Sequence, residues 1–314
     1  MTAPIAWIAA SAAGEPAAAA GPAAAVPHPH GAAATASLPQ GQWGDPGELA
    51  LPLADRGLLL ADGLFETVLL EEGRLQLLEE HLERWRSSAE LLAMAPPPDH
   101  TLILPLVAEA IARSGIRTGA LRLNWSRGCG GRGLDLPAPE QAAPAQATPA
   151  HRFWLQLTAT APQFEAVTTW ISREERRNAA SRLSRCKSFA YTAQVQARRE
   201  AQAAGAHDAL LLSSHGQLCC GSAANLLVLH QGGWTTPPLA SGCLPGVMRG
   251  RALRLGRADE APLEPSDLKT CEGALLINSL GCRPIHHCDG TALAQVPSAK
   301  AEQLWRELLK EARP

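Results

Sequence analysis

The chain has 314 residues, 46% of them apolar, and a formal net charge of −2; it can bury a substantial core, and its length suggests two domains. Near-neutral charge without a basic block or aromatic-basic interleaving argues against a nucleic-acid partner. The first 55 residues hold neither lysine nor arginine and no apolar run is long enough to span a bilayer, which disfavours export and membrane insertion and points to a cytoplasmic protein.

The chain opens on a strand, Pro4 to Ile8, whose continuation is read across a turn at Gln42-Trp43-Gly44. Between them, over about 9–41, lies an Ala/Pro/Gly-rich stretch with too little large apolar surface to offset its ordering entropy, read as a flexible insertion that lengthens a hairpin. Phe65 to Leu70, a turn at Gly73 and Leu75 to Leu78 predict a hairpin. Glu79 to Met94 predicts an amphipathic helix with Leu82, Trp85, Ala89 and Leu92 on one face, stopped by Pro96-Pro97-Pro98. A second helix is expected over Thr101 to Ser114. A strand over Ala120 to Trp125 leads into a Gly-rich run, residues 137–149 read as a loop, and Arg152 to Thr160 closes the first domain. The second begins near Ala161-Pro162. It contains a helix from Ala193 to Ala204 that Gly205 can close as a left-handed cap. Short strands follow at Asp208 to Leu212, Leu218 to Cys220, Asn225 to Leu229 and Trp234 to Thr236, then a helix from near Arg249 and a last helix over Ser298 to Ala312.

Only four lysines occur, at 187, 269, 300 and 310. Lys187 alone stands just before a helix and among arginines, where the dipole and neighbouring cations favour the neutral amine. A neutral amine attacks aldehydes, so Schiff-base anchoring of pyridoxal phosphate is the chemistry to expect. The eight cysteines form no C-x-x-C pair and read as reduced thiols. The cluster Cys282, His286, His287 and Cys288 matches no common zinc spacing, so no metal is expected.

Asp55-Arg56-Gly57-Leu58, Ala61-Asp62-Gly63-Leu64-Phe65-Glu66-Thr67, Glu80-His81-Leu82-Glu83-Arg84, Ser126-Arg127-Gly128-Cys129-Gly130-Gly131-Arg132-Gly133, the Lys187 segment, Gly221-Ser222-Ala223-Ala224-Asn225, Leu244-Pro245-Gly246-Val247-Met248-Arg249 and Asn278-Ser279-Leu280-Gly281 occur in this order. Together they resemble the class IV aminotransferase family, fold type IV of the pyridoxal phosphate enzymes, over about residues 42–290. The Ser-Arg-Gly run is most similar to that of 4-amino-4-deoxychorismate lyases, which release 4-aminobenzoate and pyruvate for folate synthesis. The resemblance implies an α/β (α+β) fold in two parts: a small N-terminal α/β domain over 1–160 and a larger β-barrel-like domain with helices over 161–314. It also implies a small-molecule amine substrate and a homodimer. Transamination of D- or branched-chain amino acids, or cofactor binding without turnover, are the competing functions.

The same resemblance implies roles residue by residue. Lys187 is the catalytic, cofactor-bearing lysine. Arg84, which alone reads as a solvated helix charge, holds the cofactor phosphate, with backbone N–H groups at Val247 and Met248 and donors from Asn278 and Ser279. Tyr191, the only tyrosine, hydrogen-bonds the cofactor ring oxygen. Arg127 and Arg132 bind substrate carboxylates. Cys220 occupies the place where the family carries a glutamate opposite the pyridine nitrogen. A thiol holds that proton less well than a carboxylate and leaves a shallower electron sink, which tilts the expectation toward the lyase, whose elimination is driven by aromatisation.

Overall fold

A computed structural model describes residues 2–10, 38–130, 133–136 and 151–310. The readings placed on 11–37, on 137–149 and on Arg132 lie outside the described residues, as does the end of the last helix beyond residue 310.

The first half is an antiparallel sheet backed by two helices. Its elements are β1 (Ile5–Ala9), β2 (Gly41–Gly44), α1 (Arg56–Leu60), β3 (Gly63–Glu71), β4 (Arg74–Leu75), α2 (Leu78–Leu91), α3 (His100–Ser114), β5 (Gly119–Ser126) and β6 (Arg152–Ala159). The strands run in the order β2-β1-β6-β5-β3-β4. Trp7 pairs with Trp43, so β1 and β2 join as expected across the Ala/Pro-rich stretch. The core between sheet and helices holds Trp7, Leu64, Leu82, Trp85, Ile103, Leu106, Leu121 and Leu155. Asp99 starts α3 by accepting from the Thr101 N–H at 2.9 Å, and Gly115, at φ +69°, ends it. Leu78, expected at the end of a hairpin strand, instead begins α2. Leu77 at φ +53° turns the chain out of the sheet there.

The second half contains β7 (Val167–Arg177), α4 (Thr192–Ala203), β8 (Asp208–Ser213), β9 (Leu218–Gly221), β10 (Asn225–His230), β11 (Gly233–Thr236), α5 (Val247–Arg254), β12 (Asp259–Glu260), α6 (Asp267–Thr270), β13 (Gly273–Asn278), β14 (Gly281–Cys288), β15 (Thr291–Ala292) and α7 (Ser298–Leu309). Strands β10, β13, β14, β7, β8 and β9 form a ring that the Asn225–Cys220 pairing closes into a barrel. Strand β7 is absent from the sequence reading, because its second half, Arg173 to Arg177, carries five consecutive charges that mask a strand pattern. The chain passes from the first sheet to the barrel between Ala159 and Val167. No helix among the described residues is long and apolar enough to cross a membrane.

Candidate active site

A cavity of about 490 Å³ lies between the two halves, within the range of small-ligand sites. Arg84, Lys187, Tyr191, Cys220, Val247, Met248, Asn278 and Ser279, the cofactor residues expected from sequence, all line it. Four cations face it, Arg84, Arg122, Arg177 and Lys187, and no aspartate or glutamate does among the described residues. The cavity is therefore built for anions.

Lys187 does not sit at the helix mouth itself. It lies in an extended segment four residues ahead of Tyr191, the cap of α4, and five ahead of Thr192, the first helical residue. That segment crosses from the barrel onto β3: the Phe65 N–H donates to Lys187 O at 2.8 Å and the Phe189 N–H to Gly63 O at 2.9 Å. The backbone thus fixes the lysine across the gap between the halves. Its Nζ rests 4.3 Å from the Phe65 ring centroid and donates to Tyr191 Oη at 3.2 Å. No carboxylate among the described residues pairs with it. The other three lysines are exposed.

At the opposite end Arg84 is oriented rather than free. Its Nε and Nη2 donate to the two oxygens of Glu66 at 2.8 and 2.6 Å, and Nη1 donates to Pro245 O at 3.1 Å. His81 meets the same carboxylate at 2.7 Å and Ser279 Oγ at 3.1 Å. Burial pushes the Glu66 carboxyl up, but the Arg84 charge and the bonds from His81 and Arg84 outweigh it and hold the group down at about 2. Burial also lowers the His81 imidazole below 6.5, against the pull of Glu66. An ionised Glu66 only accepts, so neutral His81 donates through Nδ1 and accepts a hydrogen bond from the Ser279 hydroxyl at Nε2. Ser279 therefore donates to His81 in this arrangement. Asn278 is similarly engaged: its Nδ2 donates to Ala223 O at 3.2 Å and its Oδ1 accepts from the Leu280 N–H at 2.8 Å.

Helix α5 begins at Val247 with Gly246 as a cap that offers no side chain, so its first N–H groups receive no side-chain cap among the described residues. A Cβ on Gly246 would collide with Asn225 Oδ1. This cradle, Arg84 and Lys187 form a donor set that fits a phosphorylated aldehyde.

Two arginines change roles. Arg127, expected to bind substrate, is 7% exposed and does not line the cavity. Its Nε donates to Asp62 at 2.9 Å, and Nη1 and Nη2 donate to Ala93 O and Leu92 O at 2.9 and 2.8 Å, so it ties the end of α2 to the Gly-rich segment. Arg122, passed over in the sequence, does line the cavity. Its Nε donates to Asn124 at 2.8 Å and its guanidinium carbon stacks 3.7 Å from the Phe65 centroid, while Nη1 and Nη2 have no partner among the described residues. Burial lowers its affinity for its proton, with a counter-pull from Tyr191. Strand register was the missing signal: Arg122 pairs with Thr67 beside Phe65, on the face of the sheet that meets the barrel.

The sequence model of the family described as "Amino-transferase class IV" matches residues 63–288. The chain belongs to this family. Its cofactor is accordingly pyridoxal phosphate, and it is an enzyme. A bifunctional aminodeoxychorismate lyase/D-amino acid transaminase of Mycobacterium tuberculosis is 26% identical over 276 residues, 81% of this chain and 91% of that one. Among solved structures, a fold IV transaminase from Curtobacterium pusillum superimposes with a TM-score of 0.73 at 24% identity, over 87% of this chain and 94% of the other. The branched-chain amino acid aminotransferase of Escherichia coli does so with a TM-score of 0.72 at 17% identity, over 85% and 92%. These two likenesses establish the shared fold, fold type IV.

Proposed function

We infer that the enzyme is a 4-amino-4-deoxychorismate lyase. The observation that carries this reading is the cavity wall, where Arg122, with both terminal nitrogens uncommitted, stands beside Lys187 and no acid among the described residues faces either. An amino acid with one carboxylate leaves such a surplus of positive charge unused, whereas a chorismate-derived amine brings two carboxylates. A guanidinium fork in a desolvated place suits one of them. The Ser-Arg-Gly segment and the lyase activity in the name of the mycobacterial relative support the same reading.

Bound pyridoxal phosphate supplies an aldehyde for capture of an amine and a ring that accepts electrons. The chain's own contribution is placement and proton transfer. Arg84 and the α5 N-terminus would hold the phosphate end. Tyr191 keeps the Lys187 amine directed into the cavity. Conversion of the substrate to 4-aminobenzoate and pyruvate removes one proton from the carbon that bears the amine and returns one to the departing enolpyruvyl group, so Lys187 acting first as base and then as acid balances the reaction.

The reading is tested by supplying enzymatically generated aminodeoxychorismate without an amino acceptor and assaying 4-aminobenzoate and pyruvate. Equal amounts of both are expected. Arg122→Ala should raise KM for this substrate roughly 10- to 100-fold, the loss of about 1.5–3 kcal/mol of a charged hydrogen bond, and Arg122→Lys should recover part of it. Transamination of D-amino acids is the second reading, favoured by the other activity in the relative's name. Rapid half-reaction with D-alanine and no 4-aminobenzoate would select it.

A homodimer forms part of the same proposal. Leu58, Leu59 and Leu60 of α1 are all exposed, and Leu134 lies close by, since Arg56 donates to Leu134 O at 3.3 Å. Such an apolar patch suits a second copy. Light scattering should give twice the chain mass, and Leu59→Glu should shift it toward the monomer; a monomeric parent would reject the assignment.

A further inference from the structure

Cys220 leaves the cofactor's ring nitrogen without the carboxylate the family was expected to place there, and no acid lines the cavity among the described residues. One carboxylate lies just behind the wall. Asp208, the first residue of β8, is 5% exposed. Its Oδ1 accepts from Ser222 Oγ at 2.5 Å and from the Ala209 N–H at 2.8 Å, and its Oδ2 accepts from Arg198 Nη2 at 3.0 Å. Arg198, on α4, also donates through Nε to Ser222 Oγ at 3.1 Å and through Nη1 to His207 O at 3.0 Å. Ser222 is the one member of this triad that lines the cavity, two residues beyond Cys220 and just past the strand that closes the barrel.

The hydrogen-bond inventory of Ser222 decides what it can do. Its hydroxyl proton is committed to Asp208 and one lone pair to Arg198, which leaves one lone pair and no proton to offer the cavity. It can accept and cannot donate. A hydroxyl whose hydrogen is held by a carboxylate accepts more strongly than a free one, because hydrogen bonds in a chain polarise one another. The Cys220 thiol, two residues away on the same stretch of wall, is a weak acceptor.

We propose that Ser222, backed by Asp208 and Arg198, is the group that holds the proton on the ring nitrogen of pyridoxal phosphate in this enzyme. The arrangement replaces a carboxylate at the wall by a hydroxyl in front of a carboxylate. It deepens the electron sink beyond what Cys220 alone provides, yet keeps full negative charge out of a cavity whose surface is otherwise cationic and suited to anionic substrates. The inference depends on the cofactor and not on whether lyase or transaminase chemistry follows.

The test is the nitrogen resonance of holoenzyme reconstituted with pyridoxal phosphate labelled with 15N in the ring. In the parent at neutral pH the signal should lie in the protonated, hydrogen-bonded range. Ser222→Ala should move it toward the value of unprotonated pyridine, Ser222→Thr should retain the parent signal, and Cys220→Ala should move it less than Ser222→Ala does. Asp208→Asn should move it in the same direction as Ser222→Ala. Because Asp208→Asn also loosens α4 from β8, thermal denaturation is recorded on each holoenzyme: a purely structural triad lowers stability and leaves the nitrogen signal in place. An unmoved signal in Ser222→Ala, or a signal that answers to Cys220→Ala instead, overturns the proposal.

Discussion

Lys187→Ala is expected to abolish the fixation of pyridoxal phosphate to the chain by borohydride and to lower turnover by at least roughly 10²–10⁴-fold, the share a positioned proton-transfer group carries before any nucleophilic role is counted. The expectation rests on position. Of four lysines it is the one that lines the cavity, and the other three are exposed. Its Nζ has no carboxylate partner among the described residues, and the contacts that hold it are a ring face and a phenol. The variant should still fold, because what pins this segment to β3 is the backbone carbonyl of residue 187 and not its side chain. Peptide mapping after borohydride reduction is the measurement. Label on the peptide with Lys187 in the parent and none in the variant is the expected outcome. Label on the peptide with Lys269 would remove the basis of the whole site. Added small amines should restore part of the activity of Lys187→Ala, since the cavity left by the side chain opens onto the same place.

What the sequence made legible follows from how local each signal was. Gly246, Lys187 and Arg84 sit in short segments whose glycines, caps and charges are set by near neighbours, and all three border the cavity. The roles that depend on partners far along the chain were not legible. Arg122 and Arg127 are five residues apart on and just after one strand, yet one meets the cavity and the other the end of α2. That choice is made by the pairing of Thr67 with Arg122 and by the carbonyls of Leu92 and Ala93. Strand β7 was missed for a related reason: its charged half looks like a solvated loop until β8 and β14 are placed on either side of it. Glu66 belongs to a segment that was read as a strand, and alternation says only that such a residue faces one side. Its partners, His81 and Arg84, come from the next helix, fifteen and eighteen residues on.

Glu66→Gln is expected to destabilise the apo-protein at neutral pH by about 3 kcal/mol and to remove a specific portion of its acid sensitivity. A carboxyl held at about 2 in the fold, against 4.5 in the unfolded chain, contributes about 3 kcal/mol at about 1.4 kcal/mol per unit. The sign follows from the depression. Below about 4.5 the unfolded chain takes up a proton that the folded one refuses, so this stability is complete above that pH and is lost as the pH falls toward 2. His81 acts in the same direction from a higher starting point: its lowered affinity for a proton means that acid begins to favour the unfolded state below about 6.5. Denaturant unfolding of the parent as a function of pH should show both losses, and the amide variant should lack the lower one while starting from a smaller value. The variant should also gain more than the parent from added inorganic phosphate. With the counter-charge of Glu66 gone, the Arg84 guanidinium, 11% exposed, is left unneutralised beside the α5 N-terminus, and a bound dianion supplies what the carboxylate did. Parallel pH profiles for parent and variant, with equal stability at pH 7, would mean that Glu66 is not ionised in the fold and that Arg84 reaches the cavity as a free cation.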